Sequence, residues 1–311
     1  MTDPHLKPAD NVEITVLVDN FIDIFQPAAT TVDKRLPFST TRTLLAEHGL
    51  SCMVKVTVGT KEHSILFDTG LSRECMAWNA RQLGVSLDHA EAVVLNHGHF
   101  DHTGGLNTVF CNAGKQVPLV LHPDAFLNRR LHPKSVAPVD LPHLDAITLK
   151  KNGADILNRS SPSTLAAGHL LVTGEVERTT TFEQGMPGME KYVDGDWIPD
   201  AIRDDQAIVV NVKDKGLIVL SGCAHAGIIN TVKYAQKITG TDHVHAVLGG
   251  FHLTGLAFAP IITPTVSALK KINPDYVVPM HCTGWDAINQ FHQAMPKKSI
   301  LNTVGTTYVF E

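Results

Sequence analysis

Short apolar stretches separated by polar turns run along the whole chain. Residues 13–18 alternate apolar and polar side chains and are rich in β-branched ones, which predicts a strand. Residues 52–58 and 63–67 flank the turn Gly59-Thr60-Lys61-Glu62 and predict a hairpin. Further short strands are expected at 92–95, 118–121, 170–173, 207–212, 217–220, 246–248, 276–278 and 307–310. Residues 75–83 read as a helix closed by Gly84. Ile228, Ile229, Val232, Ala235 and Ile238 fall at helical spacing. Thr263-Pro264 offers a cap and first turn for a helix through Ile272, and a last helix is expected near 286–295. Strands and helices alternate in both halves, which favours a layered α/β fold, read here as one domain over residues 1–311. Two segments lack a clear period: 21–47 reads as a long loop or lid, and 123–168 as an excursion from the core. Both are expected to shape the mouth of a pocket.

Composition narrows the class. With 43% hydrophobic and 18% charged residues the chain is not disordered, and 311 residues suffice for a core without staples. No apolar run approaches the ~20 residues of a membrane-spanning helix, so no membrane partner is expected. The net charge of -5 comes without a basic stripe, which argues against nucleic acid as a partner. Residues 1–10 are polar, hold two prolines and show no secretory signal. Five cysteines, none in a CxxC clip, argue against a disulfide framework, and a cytoplasmic location is expected.

The histidines carry the chemistry. There are 17, against 4 Tyr and 3 Trp. His97, His99, His102, His225, His252 and His281 sit in polar turns that follow short apolar strands, where a scaffold can aim side chains from distant positions. His97-x-His99-x-Asp101-His102 packs four potential ligands into six residues. In a loop, the first two can converge on one ion while Asp101 and His102 turn toward a second. On a helix they would not share a face, and the glycines at 98, 104 and 105 favour the loop. Crowded imidazoles beside a carboxylate repel or stay desolvated unless a cation joins them. Imidazole and carboxylate suit zinc, iron and manganese. His48 is a weaker candidate, and the other histidines read as surface or satisfied core residues. Asp204-Asp205 reads as a solvated turn.

The segment His97-Gly98-His99-Phe100-Asp101-His102, preceded by Phe67-Asp68-Thr69-Gly70, resembles the signature of the metallo-β-lactamase superfamily. Ser221-Gly222-Cys223-Ala224-His225-Ala226-Gly227, Gly249-Gly250-Phe251-His252-Leu253 and Met280-His281-Cys282-Thr283-Gly284 resemble its branch named for dihydropterin-ribofuranosylaminobenzene 5'-phosphate synthase. The resemblance implies a four-layer αββα sandwich with a metal site, usually dinuclear, at one edge of the two sheets. It implies His97 and His99 as ligands of a first ion, and Asp101, His102 and His281 as ligands of a second. The chain lacks the superfamily's Pro-Gly-His turn, and Gly222-Cys223 stands where many members have Gly-Asp. His225 is expected to supply the missing imidazole. Cys223 is either a thiolate in the aspartate's place or a small buried residue. Asp68 is expected to orient a ligating histidine or to cap its turn. His252 is expected to face an oxyanion or phosphate, with a satisfied loop histidine as the alternative.

The expected function is a metal-dependent hydrolase that activates water on one or two ions, zinc first and manganese or iron next, with Asp101 and His252 serving the reaction. A small anionic substrate is expected, a phosphate ester or anhydride before a lactone or thioester. A pterin-related synthase displacing diphosphate, an iron redox enzyme and a non-catalytic metabolite-binding protein are the rival readings.

Overall fold

Alternate residues of each long strand face two different buried layers. Ile65 and Phe67 point one way and Leu66 the other; Ile218 and Leu220 oppose Leu217 and Val219 in the same manner. This is why the strands read as unbroken apolar runs rather than as half-polar ribbons. The computed structural model describes residues 5–133 and 136–311, so the first four residues of the N-terminal segment lie outside it.

An eight-stranded sheet runs in the order Asp33–Lys34, Thr307–Phe310, Asn11–Val18, Ser51–Val58, Lys61–Phe67, Ala92–Val94, Val117–Leu121, Ala154–Asn158. A six-stranded sheet runs Ser163–Leu165, Leu170–Val172, Ala207–Val212, Gly216–Ser221, Val244–Gly250, Tyr276–Met280. Residues from both sheets, among them Val12, Ile14, Phe67, Val210, Leu220 and Leu248, form the core between them. The outer face of the first sheet packs on helices Cys75–Leu83, Leu106–Asn112 and Ala146–Lys151 through Met76, Phe110 and Leu149. The outer face of the second packs on Ile228–Thr239, Ala259–Ile272 and Trp285–Ala294 through Val232, Leu269 and Phe291. The layers are therefore helix, sheet, sheet, helix, as expected.

The structure departs from the sequence reading in three places. Residues 123–168 leave the layers only in part. Ala146–Lys151, Ala154–Asn158 and Ser163–Leu165 belong to them, whereas Arg129–Leu131 and Val139–Asp140 join Met189–Val193 and Asp196–Pro199 in a third, four-stranded sheet. The helix Ala259–Ile272 begins a turn early because Pro260 occupies its first turn, and Pro264 lies inside it. Phe100–Thr103 is one helical turn rather than a loop.

Strands pair in parallel where the site lies. Lys61–Phe67 pairs so with Ala92–Val94 in one sheet, and Val244–Gly250 pairs so with both Gly216–Ser221 and Tyr276–Met280 in the other. Their C-terminal ends deliver Asp68, the 96–102 segment, the 222–225 turn, His252 and His281 to the same edge.

Candidate metal centre

His97 and His99 leave the strand Ala92–Val94 in extended chain, and the space there admits only glycine between them. A Cβ on Gly98 would lie 2.1 Å from the carbonyl oxygen of Ala125. The Gly98 N–H donates to Asp204 Oδ2 at 2.8 Å, and Arg129 grips the same carboxylate while its Nε donates to Asp200 at 2.6 Å. Asn96 donates its amide to the Gln206 carbonyl, which fixes its Oδ1 as an acceptor. That oxygen takes the His97 Nδ1–H at 2.6 Å and the Cys223 backbone N–H at 3.0 Å. The ring of His97 therefore turns a bare Nε2 inward, 3.2 Å from Nε2 of His225. His99 lies with its ring 4.3 Å from that of His97 and 4.9 Å from that of His225, and its buried Nε2 has no hydrogen-bond partner.

The second set begins on the helical turn. Gly104 and Gly105 let it approach the 69–71 backbone, where a Cβ would fall 1.8 Å from Leu71 O or 2.6 Å from Thr69 O. His102 Nδ1 meets Asp68 Oδ2 at 2.7 Å, and Asp68 Oδ1 accepts the Asn96 N–H at 2.7 Å. His102 Nε2 then faces Cys223 Sγ at 3.1 Å and Asp101 Oδ2 at 3.7 Å. His281 Nδ1 lies 3.0 Å from Asn20 Oδ1, and its Nε2 lies 3.2 Å from Asp101 Oδ2. His48, at the exposed mouth, reaches the same carboxylate oxygen at 3.5 Å.

These contacts settle which nitrogens are free. His97, His102 and His281 each set Nδ1 against an anchored oxygen, so each turns Nε2 into a cup that already holds a carboxylate, a sulfur and other imidazoles. The ligand atoms of His97, His99 and His225 lie within 4.8 Å of one another; so do those of Asp101, His102, Cys223 and His281, and those of Cys223, His225 and His252. Lone pairs gathered at such range repel unless a cation or a proton lies among them. Burial, then Arg129, pushes His99 down to about 3, and burial beside neighbouring rings drives His97 and His225 well below their ordinary value. Burial also opposes charge on His102, but Asp68 and Asp101 overcome it and raise the ring to about 9. The donor set fits a metal: neutral imidazoles on one side, a carboxylate–imidazole pair on the other.

Asp68 (φ 55°), Ala224 (φ 53°), His252 (φ 44°) and His281 (φ 48°) all adopt left-handed backbone around this cup. Non-glycine residues take that conformation rarely and at a cost, and such strain gathers at functional sites.

All ten side chains singled out in the sequence meet at this edge. His97, His99 and His225 form one group; Asp101, His102, His281 and Cys223 form another. His252 stacks 4.3 Å from His225, Asp68 stands behind His102, and His48 stands at the mouth. The reading of Asp204-Asp205 as a solvated turn is corrected. Both are buried: Asp204 holds Gly98 and Arg129, and Asp205 accepts the Ala226 N–H at 2.8 Å. Asn20, Asn96, Arg129 and Cys282 were not foreseen. Only Asn96, next to His97, carried a local hint. A separate trio, His243, His245 and Asp275, lies at the opposite ends of the strands, with both rings within 3.0 Å of Asp275 Oδ2.

A helix–sheet–sheet–helix sandwich with this histidine and aspartate cup at its edge defines a metallo-β-lactamase-type protein. Residues 52–176 match the family described as the metallo-beta-lactamase superfamily, and the chain belongs to it. It is 33% identical, over 92% of both chains, to the 7,8-dihydropterin-6-methyl-4-(beta-D-ribofuranosyl)-aminobenzene-5'-phosphate synthase of Methanocaldococcus jannaschii. Its fold matches a solved metal-dependent hydrolase of the beta-lactamase superfamily with a TM-score of 0.74, at 24% identity, over 96% of this chain and 98% of that one. It also matches the fold protein YhfI of Bacillus subtilis with a TM-score of 0.52, at 13% identity, over 96% and 99% of the two chains. No helix among the described residues is long and apolar enough to cross a membrane.

Proposed function

We propose that this protein is a metal-dependent enzyme that cleaves a phosphate ester or anhydride bond in a small anionic molecule, with water as the acceptor. The observation that carries the reading is the convergence of three oriented Nε2 atoms, from His97, His102 and His281, on one cup that also holds Asp101. His97, His99 and His225 would hold one cation, and Asp101, His102 and His281 a second. A divalent ion there, zinc first and iron or manganese next, supplies Lewis acidity: it acidifies water and offsets charge developing on phosphate oxygens.

The chain's own groups do the rest. Burial works against charge on Asp101, but His102, His281 and His48 hold it ionised, well below the ordinary carboxylate range. An ionised Asp101 accepts a hydrogen bond from an attacking water and orients it. Donation of the His48 N–H to Asp101 raises the pKa of His48, whose half-exposed ring stands at the mouth of the cup. His252 offers a buried Nδ1 without a partner. It lines a small cleft with His225, Phe251, Phe258, Glu183 and Gln184, beside the first group of ligands.

A second reading is a synthase, in which the same site helps a diphosphate depart and an organic nucleophile takes the place of water. It is favoured by the 33% relative, whose name describes a pterin-derived product. Metal-stripped full-length protein reloaded with zinc, manganese or iron(II) separates these readings. Chelator-reversible release of phosphate from aryl phosphates, phosphodiesters and nucleoside diphosphates supports the first. Diphosphate release only when a pterin methyl diphosphate meets an arylamine ribofuranosyl phosphate supports the second. Inactivity toward every substrate with every metal overturns both.

A further inference from the structure

The strand Val244–Gly250 leads into the cup at one end and starts beside a second group of ligand atoms at the other. Its C-terminal end runs on to His252, whereas His245 lies at its start with His243 just before it. The strand between them spans roughly 20 Å. Parallel pairing with Tyr276–Met280 sets Asp275 beside that start, because Ala246 is in register with Tyr276. The Asp275 N–H donates to the His245 carbonyl at 3.1 Å, and the Leu217 N–H donates to the His243 carbonyl at 2.9 Å. Gly216 leaves space for the His243 ring, since a Cβ there would lie 2.8 Å from its Cδ2. Tyr276 and Phe310 set their rings edge-on to His245, with centroids 5.4 and 5.5 Å away, and hold it in place. Lys298 Nζ donates to Asn273 Oδ1 and to the Pro274 carbonyl, each at 2.8 Å, and fastens the turn that presents Asp275.

We propose that His243, His245 and Asp275 form a further divalent-cation site, separate from the cup, that takes zinc, nickel or copper(II). Two imidazoles meet one carboxylate oxygen here. His243 Nε2 lies 3.0 Å from Asp275 Oδ2, and His245 Nδ1 lies 2.8 Å from the same atom. All three ligand atoms fall within 4.8 Å of one another. Ligands held at 2.0–2.2 Å from a tetrahedral zinc ion stand roughly 3.3 Å apart, so the trio has only to open by a few tenths of an ångström. Burial works against charge on Asp275, but the two rings hold its carboxyl below the ordinary range, so the anionic ligand is already in place. His245 is buried, whereas His243 and Asp275 reach the surface. An ion therefore enters from solvent and keeps water in its remaining positions. Two nitrogens and one oxygen suit copper(II), nickel and zinc, and suit magnesium, calcium and manganese poorly.

Coordination uses the ring nitrogens that now face Asp275, with the remaining ring proton on the opposite nitrogen. A ring that was protonated beforehand releases its extra proton to solvent, and no oxidation state changes. An ion held here ties the start of Val244–Gly250 to the turn before Tyr276–Met280. These two strands are the ones whose far ends lead to His252 and His281, so the ion acts as a clip at the end of the sheet away from the cup.

The test uses the full chain without a polyhistidine tag, stripped of metal and dialysed to equilibrium against zinc(II) alone. Wild type is expected to hold one zinc ion more than His243→Ala and one more than Asp275→Ala. Both side chains reach the surface, so neither change disturbs the core, and both variants are expected to keep whatever zinc the cup takes. A triple variant His97→Ala, Asp101→Asn, His281→Ala disables the cup and is expected to retain the ion at His243, His245 and Asp275. Should that variant not fold, the difference between wild type and Asp275→Ala decides. Equal zinc content in wild type, His243→Ala and Asp275→Ala overturns the proposal and leaves the trio as a carboxylate that accepts two ring N–H groups. Wild type that retains no zinc at all overturns this site and the cup together, whereas zinc kept by the wild type and lost from both single variants alike, with none left at the cup, upholds this site and overturns the cup.

Discussion

Asp68 and His102 form a fully buried carboxylate–imidazole pair, with Oδ2 2.7 Å from Nδ1 and no solvent on either side chain. The carboxylate engages Nδ1, so Nε2 faces the cup and binds an ion once its proton is displaced. Partners of this kind orient a metal ligand and raise its basicity, and removing one typically weakens binding about 10–100-fold. Asp68→Asn is accordingly expected to weaken the second, Asp101-side ion by about that factor while the first ion is held as before. Stepwise competition with a chelating dye reads the two affinities separately. Equal losses at both positions would mean that Asp68 only caps its turn.

Gly98 separates two candidate ligands and faces the Ala125 carbonyl so closely that a Cβ would stand 2.1 Å from the oxygen. Backbone cannot step aside as a flexible side chain can, so Gly98→Ala forces the extended segment outward. Overpacking of a tight contact costs about 1–3 kcal/mol. The expected outcome is a lower urea midpoint together with loss of the first ion, because His97 and His99 move with the backbone. Metal content beside the unfolding curve checks both parts.

The layers were legible because period-two alternation between two buried faces leaves unbroken apolar runs, as at residues 65–67 and 217–220. The third sheet was not. Its strands carry Arg129, Arg130, Glu190 and Lys191, and a polar, half-open ribbon gives no apolar signal. The cup was legible in His97 through His102 because four ligands are adjacent in sequence. What holds them is not: Gly98 depends on Asp204, 106 positions away, and Asp204 depends on Arg129, 75 away. Asp204 looks like any turn aspartate until the fold brings that guanidinium to it. Cys282 gave no hint either, since its Sγ meets that of Cys223, 59 positions away, only in the fold.

Arg129 carries the third prediction. Its side chain is almost fully buried between Asp200 and Asp204, and Asp204 in turn holds the Gly98 N–H. Arg129→Met keeps the stem and removes the charge, leaving buried Asp204 without its cation and Asp200 with only Lys191 at 4.0 Å. Breaking a buried pair from one side costs about 3–5 kcal/mol. Urea unfolding of metal-free protein is expected to register a loss of that size. Adding Asp204→Asn is expected to recover part of it, since one of the stranded charges is then gone. A double variant no better than Arg129→Met would place the loss in packing rather than in charge.

Glu183 gives a pH signature that is independent of the ligands. Its carboxylate accepts the Ile229 N–H at 2.8 Å, the Asn230 N–H at 2.9 Å and the Thr180 hydroxyl at 2.9 Å, at the start of the helix Ile228–Thr239. Burial nevertheless outweighs these bonds and raises its pKa above the ordinary carboxylate range. The folded state therefore binds more protons than the unfolded state in the window just above that range. Stability must fall there as pH rises, since the slope follows the protons bound unfolded minus those bound folded. Glu183→Gln cannot ionise; it loses hydrogen bonds at every pH but does not titrate. Between about pH 4 and pH 8, the stability gap between wild type and Glu183→Gln is expected to narrow as pH rises. Urea denaturation of both proteins in metal-free buffer checks this, and a gap that widens with pH would show that the helix start favours the charged form more than burial opposes it.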